Sequence, residues 1–399
     1  MNPQKQYSIR PRERWCPWWP LIPLYPYDRR RTLRQEVLKD TLWTFDQLQG
    51  IFYVIVPIRM SAVRLETGGL LIYAPVAPTR ECVNLVRELE ARYGEVKYII
   101  LPTISGLEHK VFVGPFARRF PNAQVFVAPH QWSYPVDLPL SWLGFPPKRT
   151  HILPDEPQKA PFASEFDYAR LGPIDLGLKP FAEVALYHKR SRSLLLTDTI
   201  VSIPEKPPAI LQFDPYPLLF HAKEDAFDVV KDSEATRRKG WKRISLFAMY
   251  FRPSPLETIP FRHALRHALR ARDRSKKAYF GLFPFHWQPN WMESFEALRD
   301  GGRPLVAPVL QTLILNRAPT ETLAWVQRVA GWDFERIVPC HFSSPIAARS
   351  PQFRDAFAFL DSGKPRDNAP DFQLLKEIDK TLVRTKIVPP PSQFTMNNE

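Results

Sequence analysis

Four side chains in this 399-residue chain stand where a metal ion could be held: Glu108, His109, Asp198 and His341. Glu108 and His109 close the stretch Pro102-Thr103-Ile104-Ser105-Gly106-Leu107-Glu108-His109, which follows the apolar run Val96 to Leu101. Asp198 ends Leu195-Leu196-Thr197-Asp198, and His341 ends Val338-Pro339-Cys340-His341, each again just past an apolar run. Ionisable groups at the end of a buried strand cost free energy unless they are paired or bind something. Strand ends at one edge are also where open α/β sheets gather their ligands. Two imidazoles and two carboxylates converging there suit one divalent ion: Zn²⁺, or Mn²⁺ or Fe²⁺ with open positions. The competing reading has no metal, with Glu108 paired internally and the histidines satisfied by backbone carbonyls.

The elements that must bring these groups together follow from periodicity. Ile51 to Val56 is apolar and β-branched. Met60 to Leu65 and Leu70 to Tyr73 flank Glu66-Thr67-Gly68-Gly69, a hairpin turn between two strands. Thr79 caps a helix with apolar residues at Val83, Val86, Leu89 and Tyr93, and Gly94 ends it. The strand Val96 to Leu101, a helix from Val111 to Phe120 and a strand Gln124 to Ala128 follow, the alternation of parallel pairing with helices on a face. Residues 129–165 read as a proline-rich loop. Strands Ala182 to Tyr187 and Ser193 to Thr197 then form a second hairpin with Asp198 at its end. Helices are predicted over Arg237 to Tyr250, Pro260 to Arg272, Trp291 to Arg299, Thr320 to Ala330 and Gln352 to Leu360, with a strand at Arg336 to Val338 leading to His341. Thr32 to Asp40 reads as a short helix. In the Pro260 helix the buried stripe is expected to be Phe261, Ala264, Leu265, Ala268 and Leu269.

Bulk composition narrows the class. Apolar residues make up 44% and charged ones 24%, a composition that folds rather than stays disordered. There are 43 prolines against 15 glycines, roughly twice the usual ~5% of proline, which predicts short elements joined by long loops. The three cysteines, Cys16, Cys82 and Cys340, exclude a disulfide framework and fit a reducing compartment. No stretch reaches the ~20 apolar residues of a membrane span, and no secretory signal pattern opens the chain. A soluble protein of the cytoplasm or plastid stroma is expected, with association at a membrane periphery as a further reading. Net charge is +14, and 13 Lys/Arg against two acids, Glu257 and Asp273, fall between Arg237 and Lys277. That window suits a protein partner, an anionic surface or, less directly, nucleic acid. The N-terminal arm holds Trp15-Cys16-Pro17-Trp18-Trp19-Pro20, whose proline density favours an extended path. His263 and His267 sit at helical i, i+4 spacing but lack the intervening Glu of a metalloprotease motif. No glycine-rich phosphate loop and no serine nucleophile elbow are present.

The order of these signals resembles the metallo-β-lactamase superfamily. Its motif His-x-His-x-Asp-His falls on Ile104 to His109: Ile104 and Gly106 stand for the first two histidines, Glu108 for the aspartate, and His109 is kept. Its bridging aspartate falls on Asp198 and its terminal histidine on His341. From about Leu42 to Gly363, including Leu42-Trp43-Thr44-Phe45-Asp46 and Leu71-Ile72-Tyr73-Ala74-Pro75, the chain is similar to an uncharacterised branch of that superfamily known mainly from oxygenic phototrophs. The resemblance implies an αββα four-layer sandwich of α/β class. It also implies a two-metal centre whose first site has lost its ligands, since the central histidine expected shortly before Val184 is missing as well. The implied second site is Glu108, His109, Asp198 and His341. The expected organisation is a Pro/Trp/Arg-rich arm over 1–41, a metallo-β-lactamase-like domain over 42–363 with a basic helical insertion at 204–303, and a polar tail over 364–399. The expected function is a mononuclear metal-dependent hydrolase, with a non-catalytic binding or assembly factor as the alternative.

Overall fold

The computed structural model describes residues 24–26, 29–104, 108–134, 136–362 and 370–392. The Trp15–Pro20 arm, Cys16, Ser105 to Leu107 of the motif, and residues 364–369 and 393–399 of the tail lie outside these residues. The first sheet takes β1 (Leu24–Tyr25), β2 (Leu33–Leu38), β3 (Leu42–Ile51), β4 (Val54–Arg64), β5 (Leu70–Tyr73), β6 (Val96–Leu101), β7 (Gln124–Val127) and β8 (Thr150–Ile152). Its order is β1-β3-β4-β5-β6-β7-β8, with β2 also paired to β3. Pairing is antiparallel up to β5 and parallel from β5 to β8.

Two helices cover the outer face of this sheet, α1 (Arg80–Tyr93) and α2 (Lys110–Ala117). The Thr79 hydroxyl accepts from the Cys82 N–H at 3.2 Å, and Gly94 ends α1 at φ 98°, where a side chain would be strained. Val83, Val86 and Leu89 of α1 and Phe112 and Phe116 of α2 form one core with Phe45, Ile58, Ile72 and Ile99 of the sheet.

The second sheet begins with β9 (Phe166–Ile174), β10 (Phe181–His188) and β11 (Ser193–Leu196). The chain then leaves through α3 (Tyr216–Ala222), α4 (Glu234–Tyr250), a two-stranded ribbon of β12 (Leu256–Thr258) and β13 (Phe285–Trp287) around α5 (Phe261–Arg270), and α6 (Trp291–Arg299). After α7 (Pro308–Leu313) and α8 (Pro319–Ala330) it returns as β14 (Arg336–Pro339) and β15 (Ile346–Ala347), in the order β15-β14-β11-β10-β9. Helix α9 (Ser350–Ala356) and α8 pack Phe353, Trp325 and Val329 on the outer face of this sheet. Between the sheets lie Val63, Leu71, Ile100 and Phe126 from the first and Tyr168, Val184, Leu186 and Val338 from the second. Helix, sheet, sheet and helix therefore form four layers, the αββα sandwich that the resemblance implies.

Several elements differ from expectation. Thr32 to Asp40 is not a helix: Leu33–Leu38 is a strand, Arg34 facing Phe45 and Glu36 facing Trp43. The exposed edge of β3 has backbone groups to satisfy, and these residues pair with them. Ile51 to Val56 is broken by a turn, with Phe52 and Tyr53 at φ 50° and 60°, between the two longest strands. The loop over 129–165 contains β8, whose His151 ring lies against Phe126. The region expected as a polar tail contains α11 (Gln373–Arg384), preceded in chain order by the short α10 (Phe359–Ser362). Buried Phe372 and Leu375 and a 2.5 Å Asp379–Arg317 ion pair hold α11 in place. In α5, Ala264 and Ala268 are buried as expected, but Phe261, Leu265 and Leu269 are exposed.

Helices α3, α4 and α6 contribute to a further core around Trp241, Ile244, Phe247 and Phe295, which also takes Tyr53 and Ile55 of the β3–β4 hairpin, Phe342 and Phe372. His221 on α3 sits inside it, donating from Nε2 to the Phe52 carbonyl at 3.1 Å. Burial pushes its pKa from 6.5 down to about 4. Folded His221 stays neutral while the unfolded residue takes up a proton below 6.5. Its contribution of about 3 kcal/mol is thus present above pH 6.5 and lost as pH falls towards 4. His188, stacked on Phe166 and lowered to about 4 by burial, acts in the same direction. We expect urea midpoints to fall steeply between pH 7 and 4.5, and less steeply in His221→Phe. An identical slope in the variant contradicts this assignment.

Candidate metal centre

Three of the four expected ligands meet. One ligand atom each from Glu108, Asp198 and His341 lies within 4.8 Å of the others. His341 Nε2 is 3.0 Å from Asp198 Oδ1 and 3.1 Å from Glu108 Oε2. His341 is buried, whereas the Glu108 and Asp198 side chains are partly open to solvent. The site is therefore an accessible one at the rim of the sandwich.

Each of the three residues stands beyond a strand end. Glu108 follows β6, Asp198 follows β11 by two residues, and His341 follows β14 by two residues. β11 and β14 are parallel neighbours in register, Leu196 against Pro339, which brings Asp198 and His341 side by side. The chain after β6 crosses to the second sheet: Val184 N–H donates to the Pro102 carbonyl at 2.8 Å, and Thr103 bridges Glu183. Lys110 pins the same segment from behind, its ammonium donating to the Ile104 carbonyl at 3.2 Å and to that of Trp132.

His109 lies outside that trio of mutually close atoms. As the residue before α2, it is buried with Nδ1 3.1 Å from the Pro75 carbonyl. A carbonyl only accepts, so the proton is on Nδ1 and Nε2 carries a lone pair. That Nε2 is buried with no hydrogen-bond partner among the described residues. Burial pushes the pKa of His109 down, against the charge of Glu108, so its ring stays neutral. It nevertheless feels the charges of Glu108, His341 and Asp198.

His341 has the same arrangement, with Nδ1 2.9 Å from the Pro57 carbonyl. An imidazole whose far nitrogen is tied to a backbone carbonyl, presenting the other to a site, is the usual form of a metal-ligating histidine. Burial opposes a charge on His341, but the adjacent Glu108 and Asp198 carboxylates hold its pKa well above the usual value. The charge of His341 in turn holds Glu108 down to about 2, against the effect of its burial. Without a metal the proton on Nε2 therefore bridges the two carboxylates.

Two charged residues that the sequence did not single out support these ligands. Glu183 on β10 is fully buried, and its carboxylate accepts the backbone N–H groups of Thr197 at 2.6 Å, Asp198 at 3.2 Å and Thr199 at 3.0 Å. It stands directly before Val184, where the resemblance placed the missing central histidine, and it anchors the turn that aims Asp198. Burial and the Asp198 charge raise its pKa to about 7, against the pull of those N–H groups. Arg59 on β4 forms a buried pair with Asp46, at 2.6 Å and 3.1 Å, and also donates to the carbonyls of Pro339 at 2.7 Å and Phe342 at 3.0 Å. It thereby clamps the segment that carries His341. Ile104, at the motif's first histidine position, packs into the core between the sheets. Cys340 is a buried free thiol, its pKa pushed far up by burial.

Structural neighbours of the chain are metallo-β-lactamase-fold proteins. A metal-soaked Flv1 flavodiiron core from Synechocystis sp. PCC6803 aligns at 9% identity and TM-score 0.41 over 84% of this chain and 61% of its own. The present chain thus spans about three fifths of that relative. A metallo-β-lactamase from Pontibacter korlensis aligns at 10% identity and TM-score 0.38 over 83% of this chain and 99% of its own. The DIM-1 metallo-β-lactamase aligns at 10% identity and TM-score 0.38 over 84% and 99%. No curated protein matches the sequence. Residues 39–359 match the family described as "Domain of unknown function (DUF4336)", and the chain belongs to that family.

Proposed function

We propose that Glu108, Asp198 and His341, with His109 at their side, hold one divalent metal, and that the site is a mononuclear hydrolase centre left from a two-metal motif. The observation that carries this reading is the convergence of an imidazole and two carboxylates, beside a second, buried imidazole nitrogen with no hydrogen-bond partner among the described residues. Two imidazoles and two carboxylates would suit Zn²⁺, Mn²⁺ or Fe²⁺. A bound ion supplies Lewis acidity, polarising a carbonyl or phosphoryl oxygen and bringing the pKa of water towards ~7. The protein's own part is positional. Pro57 and Pro75 carbonyls fix the two rings, Glu183 fixes the turn bearing Asp198, and Arg59 fixes the segment bearing His341. Among Glu108, Asp198 and His341, Glu108 is the most open to solvent, at 38% side-chain exposure.

A second reading, a non-catalytic binding or assembly factor, is favoured by one feature: His341 pairs with both carboxylates and so closes the network without a metal. Equilibrium dialysis of the demetallated full-length chain against Zn²⁺ and Mn²⁺ separates binding from non-binding, and assays on ester and phosphodiester substrates separate turnover from binding alone. We expect one site per chain, weakened roughly tenfold to a hundredfold by His341→Ala, Asp198→Asn or His109→Ala. Hydrolysis should be lost in the same variants. Binding unchanged in His341→Ala overturns the metal reading, and metal binding without turnover of either substrate class selects the second.

A further inference from the structure

We propose that α5 and the turn after it form a docking face for an anionic lipid bilayer, independently of the metal centre. At 100° per residue, α5 carries parallel rows. Ala264 and Ala268 form a buried row against the protein. Beside it Phe261, Leu265 and Leu269 form an apolar row facing solvent, 72%, 49% and 67% exposed. Next comes a row of Arg262, Arg266 and Arg270, all exposed. Helices that lie in a membrane interface have this pattern, large apolar residues flanked by arginine or lysine.

The orientation of the helix is locked. Gly281, at φ +88°, lies so close to α5 that an added Cβ would sit 2.7 Å from the Ala271 Cβ and 2.8 Å from the Ala268 carbonyl. Only the alanine row fits against that turn, so the Phe/Leu row is held outwards. The same turn presents Phe280 at 67% exposure, in a left-handed backbone (φ 58°) that bulky residues rarely adopt. Its neighbour Tyr279 meets Phe52 of the β3–β4 hairpin at 5.4 Å between ring centroids, and Phe52 and Ile51 are themselves exposed. Three elements thus offer large apolar side chains in one region.

Charge selects the partner. Arg262, Arg266, Arg270 and Arg272 form no salt bridge among the described residues, and Arg274, Lys276 and Lys277 follow within seven positions of Arg270. Of the nearby acids, Asp273 accepts from the Ser275 N–H, Glu257 from Gln288, and Asp214 lies 3.8 Å from the Lys277 ammonium. A polyanion in water would satisfy the arginines but leave Phe261, Leu265, Leu269 and Phe280 exposed. An anionic bilayer satisfies both, headgroups taking the guanidinium groups and the acyl boundary taking the rings and leucines.

The test is co-sedimentation of the full-length chain with phosphatidylcholine vesicles, with and without phosphatidylglycerol, at low and high salt. Binding is expected only with the anionic lipid, falling as salt rises. Each basic residue near the surface is worth about fivefold in affinity. The triple variant Arg262→Glu, Arg266→Glu, Arg270→Glu should therefore lose about a hundredfold or more. Phe261→Ser, Leu265→Ser, Leu269→Ser should lose at least about tenfold with an unchanged circular dichroism spectrum, because these side chains are exposed. No binding at low salt overturns the proposal, and so does binding that the serine variant leaves intact. A dimer that the serine variant converts to monomer assigns the face to a second copy of the chain and also overturns it.

Discussion

Arg59→Ala is expected to destabilise the folded chain by about 3–5 kcal/mol, the cost of leaving a buried carboxylate without its partner. Arg59 and Asp46 are both nearly inaccessible, and their contact is bidentate. The substitution also frees the Pro339 and Phe342 carbonyls. Denaturant midpoints of Arg59→Ala, Asp46→Ala and the double variant form a cycle that reports the coupling. The double variant should be nearly as stable as either single one, since it removes both charges together. Because Arg59 clamps the segment that bears His341, metal affinity in Arg59→Ala should also fall, by about tenfold or more. Single variants within about 0.5 kcal/mol of the parent would show that neither the buried pair nor the Arg59 bonds to Pro339 and Phe342 stabilise the fold.

Glu183→Ala should cost a comparable amount, about 3 kcal/mol or more, because three backbone N–H groups lose their common acceptor inside the protein. Glu183→Gln separates charge from shape. The amide still offers one oxygen, but its NH₂ group faces N–H donors, so about 1–3 kcal/mol is lost. The turn carrying Asp198 is then less well aimed, and metal affinity should fall by about tenfold or more. Thermal denaturation gives the first effect and metal titration the second. A Glu183→Gln protein with unchanged midpoint and unchanged affinity would exclude the positioning role.

The meeting of Glu108, Asp198 and His341 was legible in the sequence because each is an ionisable residue past an apolar strand, and parallel pairing of β11 and β14 does the rest. Their supports left a fainter mark. Arg59 and Glu183 are single charges inside otherwise apolar strands, and what each binds depends on tertiary contacts: carbonyls 280 and 283 positions away for Arg59, and the turn 14 to 16 positions on for Glu183. A lone charge in a buried strand is the signal the sequence carries for both. His109 shows the opposite limit. Adjacency to Glu108 left the direction of its ring open: the Pro75 carbonyl takes Nδ1, and Nε2, without a hydrogen-bond partner among the described residues, is left outside the trio of mutually close atoms. For α5 the period gave the right face and the wrong environment, since spacing says which residues share a stripe and not whether anything covers it. The short strand β2 was misread because its alternation is masked by charged residues, and only the open edge of β3 makes it a strand.

The most direct measurement is the metal content of the full-length chain, purified untagged and without chelators, compared with His341→Ala by elemental mass spectrometry. About one equivalent of a single divalent metal, lost in His341→Ala, is the predicted result. Trace metal at the same level in both proteins would contradict a metal centre at Glu108, Asp198 and His341.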